Sequence, residues 1–109
     1  MLIYKQHLPI ATVDTRDIIL PYKSVAEAKA HILKLDLQYG CPTIWYQADG
    51  GSKTDETEYF IAAIGTGHKI NSDRINLDSY LGTLQLNDGD LVLHYFLVRP
   101  ERSNKNVEI

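Results

Sequence analysis

The sequence has one cysteine and no long apolar run, and each of these scarcities excludes a class of protein. A lone cysteine, Cys41, cannot form a disulfide within the chain and is typical of proteins from a reducing compartment. No apolar run approaches the roughly 18 residues that a membrane-spanning helix needs. Because the start of the chain also lacks a basic and then apolar leader, we expect a cytoplasmic protein that does not bind membranes.

Positive charge and metal ligands are also scarce. The 11 Lys and Arg residues are outnumbered by 14 Asp and Glu residues, which gives a net charge of -3. A general nucleic-acid binder needs clustered Lys and Arg to displace counterions from phosphates, so we expect no general binding of nucleic acid. The four histidines are not spaced like zinc ligands, and Cys41 has no C-x-x-C companion. We therefore predict neither a metal site nor a cofactor.

Catalytic motifs are missing as well. Nucleophilic catalysis needs a Ser or Cys beside a base that a third group orients. Cys41 precedes Pro42 in a predicted turn, and no serine stands in a strand-to-helix elbow motif. The sequence therefore predicts no catalytic residue.

A buried strand is the clearest positive feature of the sequence. The segment from Tyr59 to Gly65 is continuously apolar or small, which is typical of a strand covered on both faces. Gly65 and Gly67 then flank a threonine and permit backbone angles that are closed to branched residues. We expect a central strand that ends in a specially shaped loop.

The rest of the chain predicts one β-rich domain over residues 1–98 and a charged, flexible tail over residues 99–109. The predicted strands are Leu2 to Leu8, Asp17 to Leu20, His31 to Leu37, Thr43 to Gln47, Tyr59 to Gly65, Tyr80 to Leu86 and Leu91 to Val98. The fold class is mainly β. We expect a single compact antiparallel meander of six to seven strands with one short helical turn, closed as a small barrel or a sandwich.

Several local contacts are part of this prediction. The first two strands are expected to pair as a hairpin, with the first strand at a sheet edge. Ser24 is expected to cap the helical turn while Glu27 reaches back to it. The buried face of the third strand is expected to comprise Leu33, Leu35 and Leu37. The anchors of the polar connection after the central strand are expected to be Ile70, Ile75 and Leu77.

The loop after the central strand is the candidate site. Glycine-rich loops present backbone N–H groups and hydroxyls to an anion or a partner. The candidate binding residues are Gly65, Thr66, Gly67, His68, Lys69 and Arg74. Known phosphate loops lead into a helix, whereas the residues after His68 have no amphipathic pattern. The loop therefore has two interpretations, a structural turn or a contact with a ligand or partner.

His94 also has two interpretations. It lies in the last predicted strand on the face of Val92, Phe96 and Val98, which favours a core histidine bonded to a backbone carbonyl. Histidine titrates near neutral pH, so His94 or His68 is instead the acid-base residue if the protein is an enzyme.

Four motifs occur together between residues 31 and 98. They are Gly40-Cys-Pro-Thr-Ile-Trp45, Phe60-x-x-x-Ile-Gly-Thr-Gly-His68, Tyr80-x-Gly-Thr-x-Gln85 and Leu91-Val-x-His94-x-Phe96. In this combination the chain resembles a family of small bacteriophage proteins, which are compact single domains with no assigned activity. The resemblance implies a viral origin and a location in the host cytoplasm, and it implies no reaction. The chain departs from the family pattern at Ser24 to Lys29, where it is longer.

We therefore expect a non-enzymatic binding protein that acts by occupancy. As a phage accessory protein it would counter host defence by sequestering either a host protein or a small nucleotide signal. The first partner needs exposed loops, and the second needs a basic pocket, for which Lys69 and Arg74 are the local cations. Association with a second copy of the chain stays open. The alternative is a small hydrolase or isomerase that uses His68 or His94 as acid or base.

Overall fold

The computed structural model describes residues 2–10, 13–48, 56–70, 75 and 77–99, which contain seven strands and one α-helix. The elements are β1 (Leu2–His7), β2 (Val13–Leu20), α1 (Val25–His31), β3 (Ile32–Gln38), β4 (Cys41–Ala48), β5 (Thr57–Gly65), β6 (Tyr80–Leu86) and β7 (Leu91–Val98). Short 3-10 turns cover Leu77–Ser79 and Asn87–Gly89. The predicted mainly β, antiparallel class with one short helix is confirmed.

The strands form two sheets whose inner faces share one core. Three strands lie in the order β1-β4-β3, and the other four lie in the order β2-β5-β7-β6. The five strand pairs in these sheets are all antiparallel. The core joins Ile44 and Tyr46 of the three-stranded sheet to Ile61, Leu93 and Leu97 of the four-stranded sheet. Of the two predicted architectures, the sandwich is therefore the one that forms.

β5 is the central strand that the sequence predicted. It lies between β2 and β7, and its residues 61–65 are all buried. Successive side chains alternate between the core and a second apolar cluster on the outer face of the four-stranded sheet. This outer cluster comprises Ala62, Ile64, Phe96 and Val98, with Phe60, Ile75 and Tyr80 packed against it. Burial on both faces explains why the strand is apolar or small at every position from Tyr59 to Gly65.

The predicted hairpin between the first two strands is wrong. β1 pairs with β4 at the edge of one sheet, and β2 pairs with β5 in the other sheet. The chain crosses between the sheets at Leu8 and Pro9, which are both buried. The Leu8 amide donates to the Pro42 carbonyl at 2.8 Å, so the crossing segment is also hydrogen-bonded. Burial of this apolar segment in the core stabilises the crossing, whereas a hairpin turn would leave it in solvent.

The alternation predicted for the third strand is only partly correct. A β-bulge interrupts the pairing between Ile32 and Lys34, and Leu33 is 52% exposed there. The extra residue shifts the alternation by one position, so Ile32 and Leu35 pack against the core. Leu37 lies near the end of the strand and is exposed.

The helix begins as the sequence predicts. The Ser24 hydroxyl accepts a hydrogen bond from the Glu27 amide at 3.0 Å. The Glu27 carboxylate reaches one residue further back than expected, to the Lys23 amide at 2.8 Å. α1 has seven residues, and no helix in the described part of the chain is long and apolar enough to cross a membrane.

The terminal hairpin matches its predicted bounds. Its turn contains three consecutive positive φ angles, 54° at Asn87, 57° at Asp88 and 94° at Gly89. Glycine adopts this region without a steric penalty, and Asn and Asp tolerate it better than other side chains do. The turn therefore explains the Asn-Asp-Gly sequence.

The connection before β6 is anchored by fewer residues than predicted. Ile75 packs against the outer cluster, but Ile70 is exposed and Leu77 is 83% exposed. Leu77 opens a 3-10 turn whose buried residue is Ser79. The predicted tail lies outside the described residues except for Arg99, whose guanidinium donates to the Lys23 carbonyl at 2.6 Å.

Two fully buried tyrosines bond to backbone carbonyls outside the sheets. The Tyr59 hydroxyl donates to the Tyr22 carbonyl at 2.7 Å, and the Tyr95 hydroxyl donates to the Pro9 carbonyl at 2.6 Å. Burial disfavours the charged phenolate, so it raises the pKa of Tyr59, and it raises the pKa of Tyr95 from 10.0 to about 12. Each tyrosine thus holds a connecting segment against the core.

We expect Tyr95→Phe to lower the free energy of unfolding at pH 7 by about 1 kcal/mol, because the Pro9 carbonyl loses its donor. Between pH 10 and about 12 the unfolded tyrosine ionises but the folded one does not, so wild-type stability falls as pH rises. Tyr95→Phe has no tyrosine at this position and lacks this loss of stability. The difference in free energy of unfolding between wild type and variant should therefore be smaller at pH 11 than at pH 7. Urea unfolding at pH 7 and pH 11 measures both values.

Tyr39→Phe is the matched control, because the Tyr39 side chain is 99% exposed. Its stability should equal that of the wild type at both pH values. A difference between Tyr95→Phe and the wild type that stays constant from pH 7 to pH 11 would contradict the prediction.

Candidate functional site

The predicted loop forms a tight turn at the end of β5. Gly65 is buried and pairs with Leu93, and its carbonyl accepts the His68 amide at 3.0 Å. Gly67 has a φ of 88°, whereas Thr66 and Gly65 do not have positive φ angles. This combination is a type II turn, which requires glycine at its third position. The positive angle predicted for both glycines therefore occurs at Gly67 alone.

His94 joins this turn to the neighbouring strands through hydroxyl groups. Its Nε2 lies 2.7 Å from the Thr66 Oγ1, and its Nδ1 lies 2.8 Å from the Thr83 Oγ1. The Tyr80 hydroxyl lies 2.5 Å from the same Thr83 oxygen. Thr66, His94, Thr83 and Tyr80 thus form one continuous series of hydrogen bonds, which we call the hydroxyl chain.

Both tautomers of a neutral His94 satisfy the hydroxyl chain. A neutral imidazole donates from one ring nitrogen and accepts at the other. If Nε2 carries the proton, it donates to Thr66, while Tyr80 donates to Thr83 and Thr83 donates to Nδ1. If Nδ1 carries the proton, it donates to Thr83 while Thr66 donates to Nε2, and the bond between Tyr80 and Thr83 is satisfied in either direction. When Nε2 carries the proton, the hydrogen of the Thr66 hydroxyl is available to a partner at the exposed end of the hydroxyl chain.

The expectation that His94 is a core histidine bonded to a backbone carbonyl is wrong. Its side chain is half-buried on the outer face of the four-stranded sheet, and both ring nitrogens bond to threonine hydroxyls. The reason is its place in the sheet. On β6, Thr83 pairs directly with His94. On β5, His94 pairs with Ile64, and Thr66 follows Ile64 by two residues.

Sequence reasoning missed Thr83 and Tyr80 as members of this site. The terminal hairpin contained the signal for Thr83. If Leu86 pairs with Leu91, stepping away from the turn along both strands brings Thr83 opposite His94. Tyr80 could not be placed by the same count. A β-bulge between Tyr80 and Gly82 changes the register at that point.

The other predicted site residues are not drawn into the hydroxyl chain. His68 and Lys69 are exposed beside the turn, and Arg74 lies outside the described residues. A Cβ at Gly67 would meet no atom within 4 Å, so the surface over the turn is open. Two clefts in the described part of the chain are lined by other residues.

In the described part of the chain, neither a carboxylate nor a metal-binding cluster contacts the two histidines that the sequence singled out. Among the described residues, no Asp or Glu makes a hydrogen bond or ion pair with His68 or His94. The same residues contain no group of three or more His, Cys, Asp or Glu side chains that could hold a metal ion. Within the described residues, the arrangement therefore offers hydroxyls and an imidazole, and no carboxylate is hydrogen-bonded to them.

We expect Gly67→Ala to lower the free energy of unfolding by about 1 kcal/mol, because alanine is strained at a φ of 88°. No clash contributes, since the space around the Cβ position is open. Gly67→Asn should cost less, because asparagine tolerates the left-handed region. Thermal and urea unfolding of both variants check the order, and an alanine variant as stable as the asparagine variant would contradict it.

Comparison with known proteins places the chain in a family. A family model described as "Domain of unknown function (DUF7352)" matches residues 1–106. A search of curated proteins and a search of solved structures each found no match. The family match spans every described strand of both sheets and the whole hydroxyl chain. This chain therefore belongs to the family called Domain of unknown function (DUF7352).

Proposed function

We propose that this protein is a non-enzymatic binding protein that acts by occupying a partner protein. The observation that carries the proposal is the hydroxyl chain, which holds the Thr66 hydroxyl at 2.7 Å from His94 on an exposed turn. A polar group that the fold already orients loses little conformational freedom when a partner binds it. The turn is also anchored to β5, the most deeply buried strand of the four-stranded sheet.

The shape of the surface supports a protein partner over a small ligand. Small-molecule sites are concave and mostly apolar, whereas Thr66, Gly67, His68 and Lys69 are all exposed on an open turn. Protein interfaces have a polar rim and about one hydrogen bond per 100–200 Å². Hydroxyls and an imidazole of fixed orientation suit such a rim.

The biological setting of the proposal comes from the sequence motifs. The resemblance to small bacteriophage proteins supports a counter-defence role in the cytoplasm of a bacterial host, with a host protein as the sequestered partner. Three of the four motifs contain members of the hydroxyl chain, namely Thr66, His94, Thr83 and Tyr80. Residues from three separate motifs are therefore hydrogen-bonded to one another beside the proposed interface.

The binding proposal is tested with Thr66→Val, which removes the hydroxyl at nearly constant shape, and with His68→Ala. Both residues are exposed, so the melting temperature should stay within a few degrees of wild type. We expect the wild type to recover one bacterial protein at a 1:1 ratio from lysate, and both variants to lose it. Calorimetry with that purified protein then measures the affinity.

Two matched variants control this experiment. Thr66→Ser keeps the hydroxyl and should bind like wild type, and Lys34→Ala changes an exposed residue of the other sheet and should also bind normally. If Thr66→Val and His68→Ala bind the same protein as tightly as wild type, the turn is not the interface. Recovery of a tightly held nucleotide in place of a protein would favour the alternative that the protein sequesters a small nucleotide signal.

One contact favours a second candidate function, a hydrolase that uses Thr66 as nucleophile and His94 as base. The two side chains are within hydrogen-bond distance, and Thr83 bonds to the other ring nitrogen as an orienting group. Thr83 is neutral, however, and cannot stabilise an imidazolium as a carboxylate does. Loss of the negative charge at that position costs about 10⁴ in kcat in a serine protease. Binding is therefore the better supported function.

A fluorophosphonate probe separates the two candidates. Attack by the Thr66 oxygen on phosphorus would expel fluoride, and His94 would take the hydroxyl proton, so labelling adds the probe mass less HF. We expect no labelling of the wild-type protein by intact-mass spectrometry. Labelling that disappears in both Thr66→Val and His94→Gln would instead establish the hydrolase.

A further inference from the structure

Four strands lie at sheet edges, and the edge formed by β1 differs from the other three in its regularity. The edge strands are β1 and β3 in one sheet and β2 and β6 in the other. A register shift interrupts the pairing of β2, of β3 and of β6 with the neighbouring strand, and such irregularities disfavour the addition of another strand. β1 instead pairs with β4 in one unbroken register from Leu2 to His7. Within the described residues, β1 is therefore the edge best suited to accept a further strand.

The free backbone groups of β1 follow from one hydrogen bond. The Leu8 amide donates to the Pro42 carbonyl at 2.8 Å, and these two residues continue the register between β1 and β4. In an antiparallel pair, residues that bond across the pair alternate with residues that do not. The even-numbered residues of β1 therefore bond to β4. The amides and carbonyls of Ile3, Lys5 and His7 point to the open edge.

Exposed apolar side chains flank these free backbone groups. Leu2, Ile3 and Tyr4 are 46%, 54% and 47% exposed, although each side chain is large and mainly apolar. A lysine on an edge strand discourages pairing when its ammonium group lies beside the free edge. The ammonium of Lys5 is held away from that edge, because it donates to the Gln38 side chain on β3 at 2.7 Å. The lysine of β1 therefore does not shield the open edge.

The residue pattern of β1 fits a second copy of the same strand. When two copies pair antiparallel about a two-fold axis, paired residues lie on the same face of the joint sheet, so their numbers sum to an even value. With Tyr4 on the axis, Ile3 of each copy pairs with Lys5 of the other, and Leu2 pairs with Gln6. Ile3 and Lys5 are residues whose backbone groups are free, so each Ile3-Lys5 pair exchanges two hydrogen bonds.

The neighbouring registers are less favourable. An axis at Lys5 places the two Lys5 side chains opposite each other, and like charges in that position are destabilising. An axis at Ile3 leaves only the Ile3 pair within the described strand, because Lys5 then faces residue 1. With Tyr4 on the axis, the aliphatic stem of Lys5 instead covers the exposed Ile3 side chain of the other copy. This register satisfies the most backbone groups without opposing like charges.

We propose that two copies of this chain associate through β1, which joins their three-stranded sheets into one continuous antiparallel sheet with Tyr4 on the two-fold axis. In such strand addition, main-chain hydrogen bonds supply affinity and alternate side chains supply specificity. The strand has six residues, so the interface is smaller than the roughly 1,600 Å² of a standard complex, and we expect a dissociation constant in the micromolar range. The proposal does not depend on the partner at the Gly65 turn, which lies on the other sheet.

Sedimentation equilibrium of the full chain, from micromolar to millimolar concentration, tests the proposal. We expect the average mass to rise from 12.3 kDa towards twice that value. Ile3→Lys places like charges opposite each other in both pairs and should weaken association about tenfold. Ile3→Glu faces Lys5 of the other copy and should associate at least as tightly as wild type. Net charge alone predicts the reverse order, because Ile3→Lys reduces the charge of -3 and Ile3→Glu increases its magnitude.

Two further variants control this test. Ile3→Lys combined with Lys5→Glu restores opposite charges across the axis and should recover the wild-type affinity. Leu33→Lys is the matched control, since it exchanges a similarly exposed apolar residue for lysine on β3, at the other edge of the same sheet, and should leave association unchanged.

Amide hydrogen exchange of the wild type gives a second readout. The amides of Ile3 and Lys5 should become protected only at concentrations where the dimer forms. A wild type that stays monomeric at millimolar concentration, equal association of Ile3→Lys and wild type, or protection of both amides in the monomer would overturn the proposal.

Discussion

The burial of β5 on both faces is the constraint on which the rest of this structure depends. From Tyr59 to Gly65 the strand has no exposed side chain, and its backbone groups must be paired on both sides. β2 and β7 provide that pairing, and the core and the outer cluster cover its two faces. The first exposed position after it is Thr66, so the polar turn begins where the constraint ends.

The core is stabilised by large side chains that also satisfy polar groups. Tyr59 and Tyr95 are fully buried, and their hydroxyls bond to the carbonyls of Tyr22 and Pro9 in connecting segments. Hydrogen bonding removes most of the penalty for burying a phenol, while the ring contributes apolar contact area. Within the described residues, no buried side-chain polar atom lacks a partner. A seven-strand sandwich with one free cysteine is thus held together without a disulfide.

The proposed interface at the Gly65 turn recognises a partner through hydrogen-bonding groups of fixed orientation. The hydroxyl chain presents hydrogen-bond donors and acceptors that carry no fixed charge. The tautomer of His94 determines which of the two threonine hydroxyls donates to the ring and which accepts from it. Such a surface discriminates by geometry, and it lacks the charge that would stabilise an imidazolium during catalysis.

The sequence by itself determined the elements whose cause is local. The Ser24 cap, the Asn-Asp-Gly turn, the terminal hairpin and the doubly buried β5 each follow from neighbouring residues and a simple period. The hairpin register even contained the pairing of Thr83 with His94.

Only the tertiary structure decided which strands share a sheet. β1 and β2 suit a hairpin or a crossing equally well, and burial of Leu8 and Pro9 selects the crossing. Bulges in β3 and before Gly82 change the pairing partway along a strand, so simple alternation could not place Leu33 and Tyr80. A cleft lined by α1, the 3-10 turn at Leu77–Ser79 and the end of β7 has the same origin, because these segments come together only after both sheets have packed.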